Sequence, residues 1–291
     1  MSDVPMPRAS LAAAPKAWRG PPPLVLFALT WVGLMLAVAL LADLVSPYAY
    51  TALHLRNRLS PPAFAGGSWA HLLGTDELGR DVLSRLIASI RMSLLIAFGA
   101  TLIGAAVGTA VGFLAAHFRG WVEQCVLALV DFSASLPFLI LALAVLAFFG
   151  NSLALFVVLL GFHAWERYAR IARGLAISAG TQGYAAAVRQ LGATPWRIYG
   201  RHVLPNIAST LIVSMTLAFP EVILLESGLS FLGLGVQPPA TSLGNMVGYG
   251  REYLTGAPWI LLAPASVVVL TTLSVSILGD WLRDRLDPTL R

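Results

Sequence analysis

Long apolar segments constrain what this chain can fold into more than any other feature. A helix needs about 20 mostly apolar residues to cross the roughly 30 Å hydrocarbon core of a bilayer, because each helical residue rises about 1.5 Å. Five segments reach or approach that length, at 24–45, 93–116, 126–149, 207–225 and 259–278. Only 11% of the residues are charged, against about 25% in a typical soluble domain, and the mean hydropathy is +0.77. The sequence therefore predicts an all-α integral membrane protein.

A sixth apolar segment, 152–165, is short for a spanning helix, and on length alone it fits a re-entrant or buried helix equally well. The helix can continue through Arg167, Arg170 and Arg173, whose long stems can lie along apolar surface while the guanidinium groups reach the lipid headgroups. We therefore predict a sixth span at 152–173. The transmembrane domain then occupies 24–291 and follows an N-terminal tail at 1–23.

Basic residues near the helix ends predict the orientation, because cytoplasmic flanks retain Lys and Arg. The segment 24–45 is too long for the apolar region of a typical signal peptide and lacks a clear cleavage site, so we interpret it as a retained helix. Placing both termini in the cytoplasm puts most of the 19 basic residues on the inner side. These include Arg8, Lys16, Arg19, Arg119, Arg189, Arg197, Arg201, Arg283, Arg285 and Arg291.

The polar composition argues against several other classes of protein. The net charge is +5, but the basic residues flank apolar segments and form no compact basic domain, so we expect no nucleic-acid partner. Cys125 is the only cysteine and lies in an apolar stretch, which indicates a packing role. The five histidines show no metal-ligand spacing, so the sequence predicts no metal site.

Two connecting segments are too long to be simple turns. One is the external segment, 46–92, and the other is a cytoplasmic loop at 174–206. Within the first, residues 81–90 carry an apolar stripe typical of an amphipathic helix, which could lie in the membrane interface or pack within the protein.

The cytoplasmic segment predicts two short helices separated by a break. Tyr184, Val188 and Leu191 share a helical face, Gly192 suits a left-handed C-terminal position, and Thr194 can cap a second helix that begins at Pro195. A short helix with an exposed apolar stripe can dock into a groove on a partner, or it can pack on its own subunit.

Four stretches of the sequence then point to one family. Residues 182–206, which end in RHVLPN, resemble the EAA loop, the coupling element of ABC-importer permeases. The strings LGTDELGRDVLSRL at 73–86, GLSFLGLGVQPP at 228–239 and LGDWLRDRLDP at 278–288 resemble the dipeptide, oligopeptide and nickel permease group, specifically its second, or C, subunit. The four stretches occur in the family's order, so chance similarity is a poor explanation.

The resemblance implies a six-helix, type I ABC-importer permease-like bundle with a cytoplasmic coupling-helix hairpin. It implies a bacterial inner-membrane subunit that forms half of the pore for di- or oligopeptides, or alternatively for nickel chelates or glutathione-like solutes. The implied partners are a sister permease in a heterodimer, two cytoplasmic ATP-binding subunits, an external solute-binding protein and membrane lipid. The implied coupling residues are Tyr184, Ala187, Val188, Arg189, Leu191, Gly192 and Pro195. The family's acidic residue is replaced here by Ala186. The contact with an ATP-binding subunit is then expected to depend on packing and on Arg189.

The chain is not expected to hydrolyse ATP or to bind a cofactor. A phosphate loop needs Gly-x-x-x-x-Gly-Lys followed by Ser or Thr, whereas the single lysine, Lys16, precedes Ala17 outside any such loop. ATP and Mg²⁺ are therefore expected on partner subunits, and no catalytic residue is predicted.

Carboxylates within apolar segments require an explanation, because a charge near the bilayer centre costs about 3 kcal/mol on insertion scales. Glu221 follows Pro220, which can kink a helix, and is the candidate residue facing the pathway. Asp131 and Glu226 lie near helix ends and suit interfacial or structural roles. Asp76, Glu77, Arg80, Asp81 and Glu226 are the candidates for an external or interface site.

Two other functional classes remain as alternatives. A stand-alone secondary transporter would predict paired internal repeats with broken helices, and a membrane-embedded enzyme would need a cluster of His, Asp or Glu residues. The sequence shows neither pattern.

Overall fold

The computed structural model describes residues 21–180 and 192–286, and within them the fold is helical. Nine helices of eight or more residues form the described part of the chain, which confirms the all-α prediction. They are α1 Pro23–Leu40, α2 Val82–Phe118, α3 Gly120–Ser135, α4 Phe138–Phe149, α5 Leu153–His163, α6 Trp165–Gly180, α7 Leu204–Phe231, α8 Leu243–Gly250 and α9 Trp259–Leu286. A single turn, Pro195–Ile198, leads through a π-helical turn, Tyr199–Val203, into α7.

Four of the described helices are each long and apolar enough to cross a membrane: α1, α2, α9, and α7 together with its preceding turns. The pair α3 and α4 reaches that length only jointly and bends by 88° at its break. The bend follows from Pro137, which lacks a backbone N–H and holds Leu136 in an extended conformation. Helix α5 is short, and it continues as α6 after a break at Ala164. The count of six spans stays a prediction.

Helix α2 is central and packs against α5, α6, α7 and α1. A glycine stripe of Gly104, Gly108 and Gly112 lets it approach the backbone of α5 and α6 closely. An added Cβ at Gly104 would lie 2.6 Å from the carbonyl oxygen of Gly161, and one at Gly112 would lie 2.5 Å from that of Ala169. Small residues at this spacing let membrane helices pack backbone to backbone. The glycine stripe therefore sets the position of α6 relative to α2.

The amphipathic segment 81–90 forms the first turns of α2 and is continuous with the rest of that helix. Val82, Leu86, Ile87 and Ile90 are all buried inside the chain. Of the two alternatives left open by the sequence, packing within the protein is therefore the one that the structure supports.

The bundle has two ends, which differ in what connects the helices. The loop end carries residues 41–81, 150–152 and 232–258, where Asn151 Nδ2 donates to the carbonyl of Gly235 at 2.9 Å. The opposite end carries 118–120, 180 and 192–203, where the Tyr199 ring stacks on Phe113 at 5.1 Å. Helix α9 packs between α1, α7 and α8 and runs from the loop end to the opposite end.

Candidate functional site

Three arginines on one stripe of α6, here named the arginine ladder, each pair with a carboxylate from another helix. Arg167 Nη2 lies 3.0 Å from Glu221 Oε2 on α7. Arg170 Nη2 lies 3.0 Å from Asp131 Oδ1 on α3, and Arg173 Nε lies 2.7 Å from Glu123 Oε1 on the same helix. The expectation that these guanidinium groups reach lipid headgroups is therefore wrong. Their spacing of three residues places them on one face, and that face is turned toward α3 and α7.

Glu221 is held from two sides in a charge cluster of His163, Arg167 and Glu221. Its Oε1 lies 3.2 Å from His163 Nε2, while Oε2 faces Arg167. His163 is the last residue of α5, and its ring lies 4.3 Å from the ring of Phe138 at the start of α4. The cluster therefore joins α4, α5, α6 and α7 at the point where two of the helical segments are broken.

The charge cluster lies at the same distance from the loop end on the two helices that carry His163 and Glu221. His163 is about ten residues from the loop end of α5, and Glu221 is about ten residues from the loop end of α7, which is about 15 Å in each case. That distance is half of the roughly 30 Å hydrocarbon core. Both estimates start from the helix limits Leu153 and Phe231.

The two ladder pairs nearer the loop end, Arg167 with Glu221 and Arg170 with Asp131, remain substantially exposed on the isolated chain. The exposed fractions are 48% for Arg167 and 41% for Glu221, and 49% for Arg170 and 71% for Asp131. For Arg167 and Glu221, contact with lipid at this depth costs about 2.5–3.5 kcal/mol for each charged side chain even on the insertion scale. The face around this pair, between α6 and α7, is therefore expected to be covered by water or by another protein.

The loop-end residues predicted as external or interface candidates form a network within the chain. The buried Asp76 carboxylate accepts hydrogen bonds from the backbone N–H groups of Leu78 and Arg80, both at 2.9 Å, and from Arg80 Nε at 2.7 Å. Arg85 of α2 also pairs with Asp76, and Arg80 Nη2 lies 2.7 Å from Glu77 Oε1. The Asp76, Arg80 and Arg85 charges are paired within the chain. Glu77 contributes one oxygen, while its Oε2 is buried without a hydrogen-bond partner in the described part of the chain. This pairing indicates a structural role for the loop.

Asp81 caps the start of α2. Its Oδ2 accepts from the backbone N–H and the hydroxyl of Ser84, each at 2.7 Å, while Oδ1 lies 2.9 Å from His71 Nδ1. Trp259 Nε1 at the start of α9 donates to the carbonyl of Thr75 at 3.1 Å. The loop therefore caps one central helix and holds the start of another.

Glu226 is fully enclosed within this chain. Ser93 Oγ donates to its Oε2 at 3.1 Å, and Ser230 Oγ donates to its Oε1 at 2.8 Å. The Ser93 hydroxyl oxygen also accepts from the backbone N–H of Leu243 at 3.0 Å, which ties α2, α7 and α8 together. In this conformation the carboxyl group joins three helices, and no partner subunit can reach it.

Most of the predicted coupling residues, Tyr184, Ala187, Val188, Arg189 and Leu191, lie outside the described residues. Gly192 has a φ of +78°, in the left-handed region that its position predicts. Pro195 begins a helical turn as expected, but Thr194 makes no side-chain capping bond, contrary to the expectation. Trp196 is strongly exposed at this end of the bundle, whereas Ile198 is buried.

Sequence reasoning missed Glu123 as a partner of the arginine ladder and His163 as a partner of Glu221. It was also wrong about Cys125, which is exposed on α3 and not packed within the chain. The glycine stripe had a recognisable pattern, Gly at every fourth position from 104 to 112, that would have predicted a helix contact. Across the described ranges, no three His, Cys, Asp or Glu residues stand in an arrangement that could hold a metal ion.

Comparison with known sequences gives a consistent group of relatives. Residues 108–291 match the family described as the binding-protein-dependent transport system inner membrane component. The chain is 38% identical over 259 residues to the di/tripeptide transport system permease protein DppC of Pseudomonas aeruginosa, covering 89% of this chain and 86% of the relative. It is 35% identical over 261 residues to the glutathione transport system permease protein GsiD of Pectobacterium atrosepticum, covering 90% and 85%. It is 36% identical over 247 residues to the oligopeptide transport system permease protein OppC of Mycobacterium bovis, covering 84% and 83%.

Among solved structures, the fold is similar to that of a chain of the MetNI methionine ABC transporter, described in inward facing conformations. The TM-score is 0.58 at 22% sequence identity, and the match covers 70% of this chain and 97% of the other. A chain of an amino acid ABC transporter gives a TM-score of 0.53 at 19% identity, covering 70% of this chain and 95% of that one. These similarities establish the permease fold.

Proposed function

The chain belongs to the family of binding-protein-dependent transport system inner membrane components, and from that membership we propose that it forms half of the translocation pathway of an ATP-driven importer of di- or oligopeptides. The observation that carries the proposal is the exposed face of charged pairs at membrane depth, Arg167 with Glu221 and Arg170 with Asp131. A wet pathway shared with a second permease covers such a face at low cost, whereas lipid does not.

The charge cluster lies on the pathway side of this subunit, with Glu221 as its centre. A sister permease completes the pathway as a heterodimer in a bacterial inner membrane. An external solute-binding protein docks at the loop end, and both termini of the chain lie in the cytoplasm. This arrangement rests on the distribution of basic residues and on the family.

Two cytoplasmic ATP-binding subunits dock at the opposite end, and they bind ATP and Mg²⁺. The coupling segment at 174–206 contacts them through Tyr184, Ala187, Val188, Arg189, Leu191, Gly192 and Pro195. The described part of this segment supports the proposal with a left-handed Gly192 and an exposed Trp196 directly before the helix that leads into α7.

Peptide cargo is supported by relatives named as di/tripeptide and oligopeptide permeases. The similarity to a permease named for glutathione, itself a small peptide, favours a glutathione-like cargo as the second candidate. Both candidates are small, flexible and charged at their ends, which suits a pathway lined by ion pairs.

The test is co-purification of the assembled complex from native membrane, followed by reconstitution into proteoliposomes with the binding protein and a labelled dipeptide, a labelled tripeptide or labelled glutathione. We expect uptake that requires ATP on the side of the membrane where the ATP-binding subunits lie. Uptake should also require the binding protein, and it should stop when vanadate is added. Uptake by this chain alone without ATP would instead indicate a secondary transporter. ATP-driven complexes that ignore every peptide would refute the cargo assignment.

A further inference from the structure

Arg167 is only partly engaged by its carboxylate partner. A guanidinium group carries five N–H donors and holds a carboxylate best through two parallel ones. The nearest contact with Glu221 is from Nη2, at 3.0 Å, and about half of the Arg167 side chain is exposed. Arg167 can therefore offer further donors to a second carboxylate on the exposed side.

Glu221 would not be left without a donor if Arg167 moved. Its Oε1 faces His163 Nε2 at 3.2 Å, on the side of the carboxylate away from Arg167. Leaving a partly buried carboxylate without any hydrogen-bond donor costs free energy, whereas a carboxylate that keeps one donor loses much less. His163 therefore lowers the free-energy cost of an exchange in which Arg167 leaves Glu221 for another carboxylate.

The charge cluster lies where two helical segments are broken at the same height in the bundle. Phe138, the first residue of α4 after the break at Pro137, contacts His163, the last residue before the break at Ala164. Broken helices at membrane depth are tolerated where the backbone is covered by protein or lines a cavity. The paired breaks thus indicate, independently of the charges, that this level of the bundle is covered by protein or lines a pathway.

The balance of charge selects the kind of ligand. Arg167 and Glu221 cancel each other, and His163 adds a positive charge when protonated, so the cluster is neutral or positive. A neutral or positive site with spare N–H donors favours an anion that accepts hydrogen bonds. The anionic group that all peptides with a free C-terminus share is the terminal carboxylate.

We infer that the charge cluster of His163, Arg167 and Glu221 is a transit site for the C-terminal carboxylate of the cargo, which Arg167 binds by exchanging Glu221 for it. This inference rests on the proposed peptide transport function. The neighbouring pair, Arg170 with Asp131, supplies the contrast, because Arg170 has nearly the same exposure but no second group holds its carboxylate among the described residues. It also has no ring contact like that of His163 with Phe138 in that part of the chain.

The test compares a labelled dipeptide with its C-terminal amide in the reconstituted full complex. Both substrates are supplied at concentrations that saturate the binding protein, so that its preference between acid and amide affects every variant equally. Arg167→Gln should reduce uptake of the acid about tenfold more than uptake of the amide, since it removes a charge-assisted bidentate contact. Arg170→Gln is the matched control and should change both uptakes by the same factor. An unchanged ratio of acid to amide uptake in Arg167→Gln would overturn the inference.

Glu221→Gln provides a second test that leaves Arg167 in place. Removing the competing charge should raise the ratio of acid to amide uptake, by about threefold or more if the exchange contributes to the rate. An unchanged or lowered ratio contradicts the exchange even if Arg167→Gln fails to assemble. Recovery of the complex in size-exclusion chromatography and its basal ATPase activity report folding. A wild-type complex that takes up neither form refutes the proposed function, whereas normal uptake with an insensitive ratio refutes this inference alone.

Discussion

Substitution of Gly108 by Ala should separate the two helices that position the charge cluster. A Cβ at Gly108 would meet the carbonyl oxygen of Trp165, would lie 2.7 Å from Tyr168 Cβ and would lie 3.0 Å from the backbone nitrogen of Ala169. These atoms belong to the backbone of α6 or to its first side-chain carbon, so no rotamer change can relieve the overlap. Helix α6 would have to move away from α2 by about 1 Å to bring the nearest of these atoms, the Trp165 carbonyl oxygen, to an ordinary contact near 3.4 Å.

The expected magnitude follows from two opposing terms. Replacing Gly by Ala within a helix favours folding by up to about 1 kcal/mol, whereas overpacking a tight contact costs about 1–3 kcal/mol. Because the overlap is with backbone, we expect the upper part of that range and a net loss of about 1–2 kcal/mol. Gly99→Ala on the same helix is the matched control, since its Cβ would meet only Val157 Cγ1 at 3.4 Å.

The assay is the thermal unfolding of the purified complex in detergent, followed by fluorescence-detected size exclusion, together with peptide uptake at a temperature where both variants are folded. Gly108→Ala should lower the unfolding temperature and slow uptake, because the displaced α6 carries Arg167 away from Glu221. Gly99→Ala should match or exceed wild type. Equal stability and equal uptake of the two variants would refute the close backbone contact.

Three further predictions concern other parts of the chain. Asp81→Ala should destabilise the complex by about 1–2 kcal/mol through loss of the α2 cap. Asp43→Ala, which removes an exposed ion pair with Arg91, should cost less than about 0.5 kcal/mol. Equal losses in urea or thermal unfolding would contradict the capping role of Asp81. Glu226→Gln should be tolerated because its amide oxygen can accept from one serine while its amide N–H donates to the hydroxyl of the other. Glu226→Ala should cost about 2–4 kcal/mol through an unfilled and unsatisfied site. A Gln variant as unstable as the Ala variant would show that a second acceptor oxygen is required. Gly192→Val should uncouple ATP hydrolysis from uptake without preventing membrane insertion, since a β-branched residue is strained at a φ of +78°; normal uptake per ATP hydrolysed would count against the coupling role.

The helices were predictable from the sequence because apolar length is a local property. Four of the five long apolar segments lie mainly in one helix each, whereas 126–149 is divided between α3 and α4. Pro264 lies inside α9 without ending it. The effect of a proline depends on its surroundings, and this was not predictable: Pro220 is also inside a continuous helix, α7, while Pro137 accompanies an 88° bend. The difference lies in how neighbouring helices satisfy the freed backbone groups, which a single sequence does not display.

The candidate site was predictable only in part, because its partners are distant in the chain. Glu221 was identified from its position in an apolar segment, but its contacts with His163 and Arg167 join residues far apart in sequence. The arginines of α6 were assigned to the headgroups because their carboxylate partners on other helices could not be placed from periodicity alone. For the same reason Glu226 was assigned to an interface, whereas three serine-bearing segments of its own chain enclose it.

Exposure of the charge cluster to a wet pathway, and not to lipid, can be measured directly. Its direct test is thiol accessibility in the assembled importer, in a background where the exposed native Cys125 is replaced by Ser. A cysteine at position 221 should react with a membrane-impermeant thiol reagent, at a rate that changes when ATP or vanadate alters the transport cycle. A cysteine in place of Val269, which is 60% exposed on α9 and lies about 15 Å from the loop end of that helix, should not react. Equal protection of both positions in every state of the cycle would contradict the account.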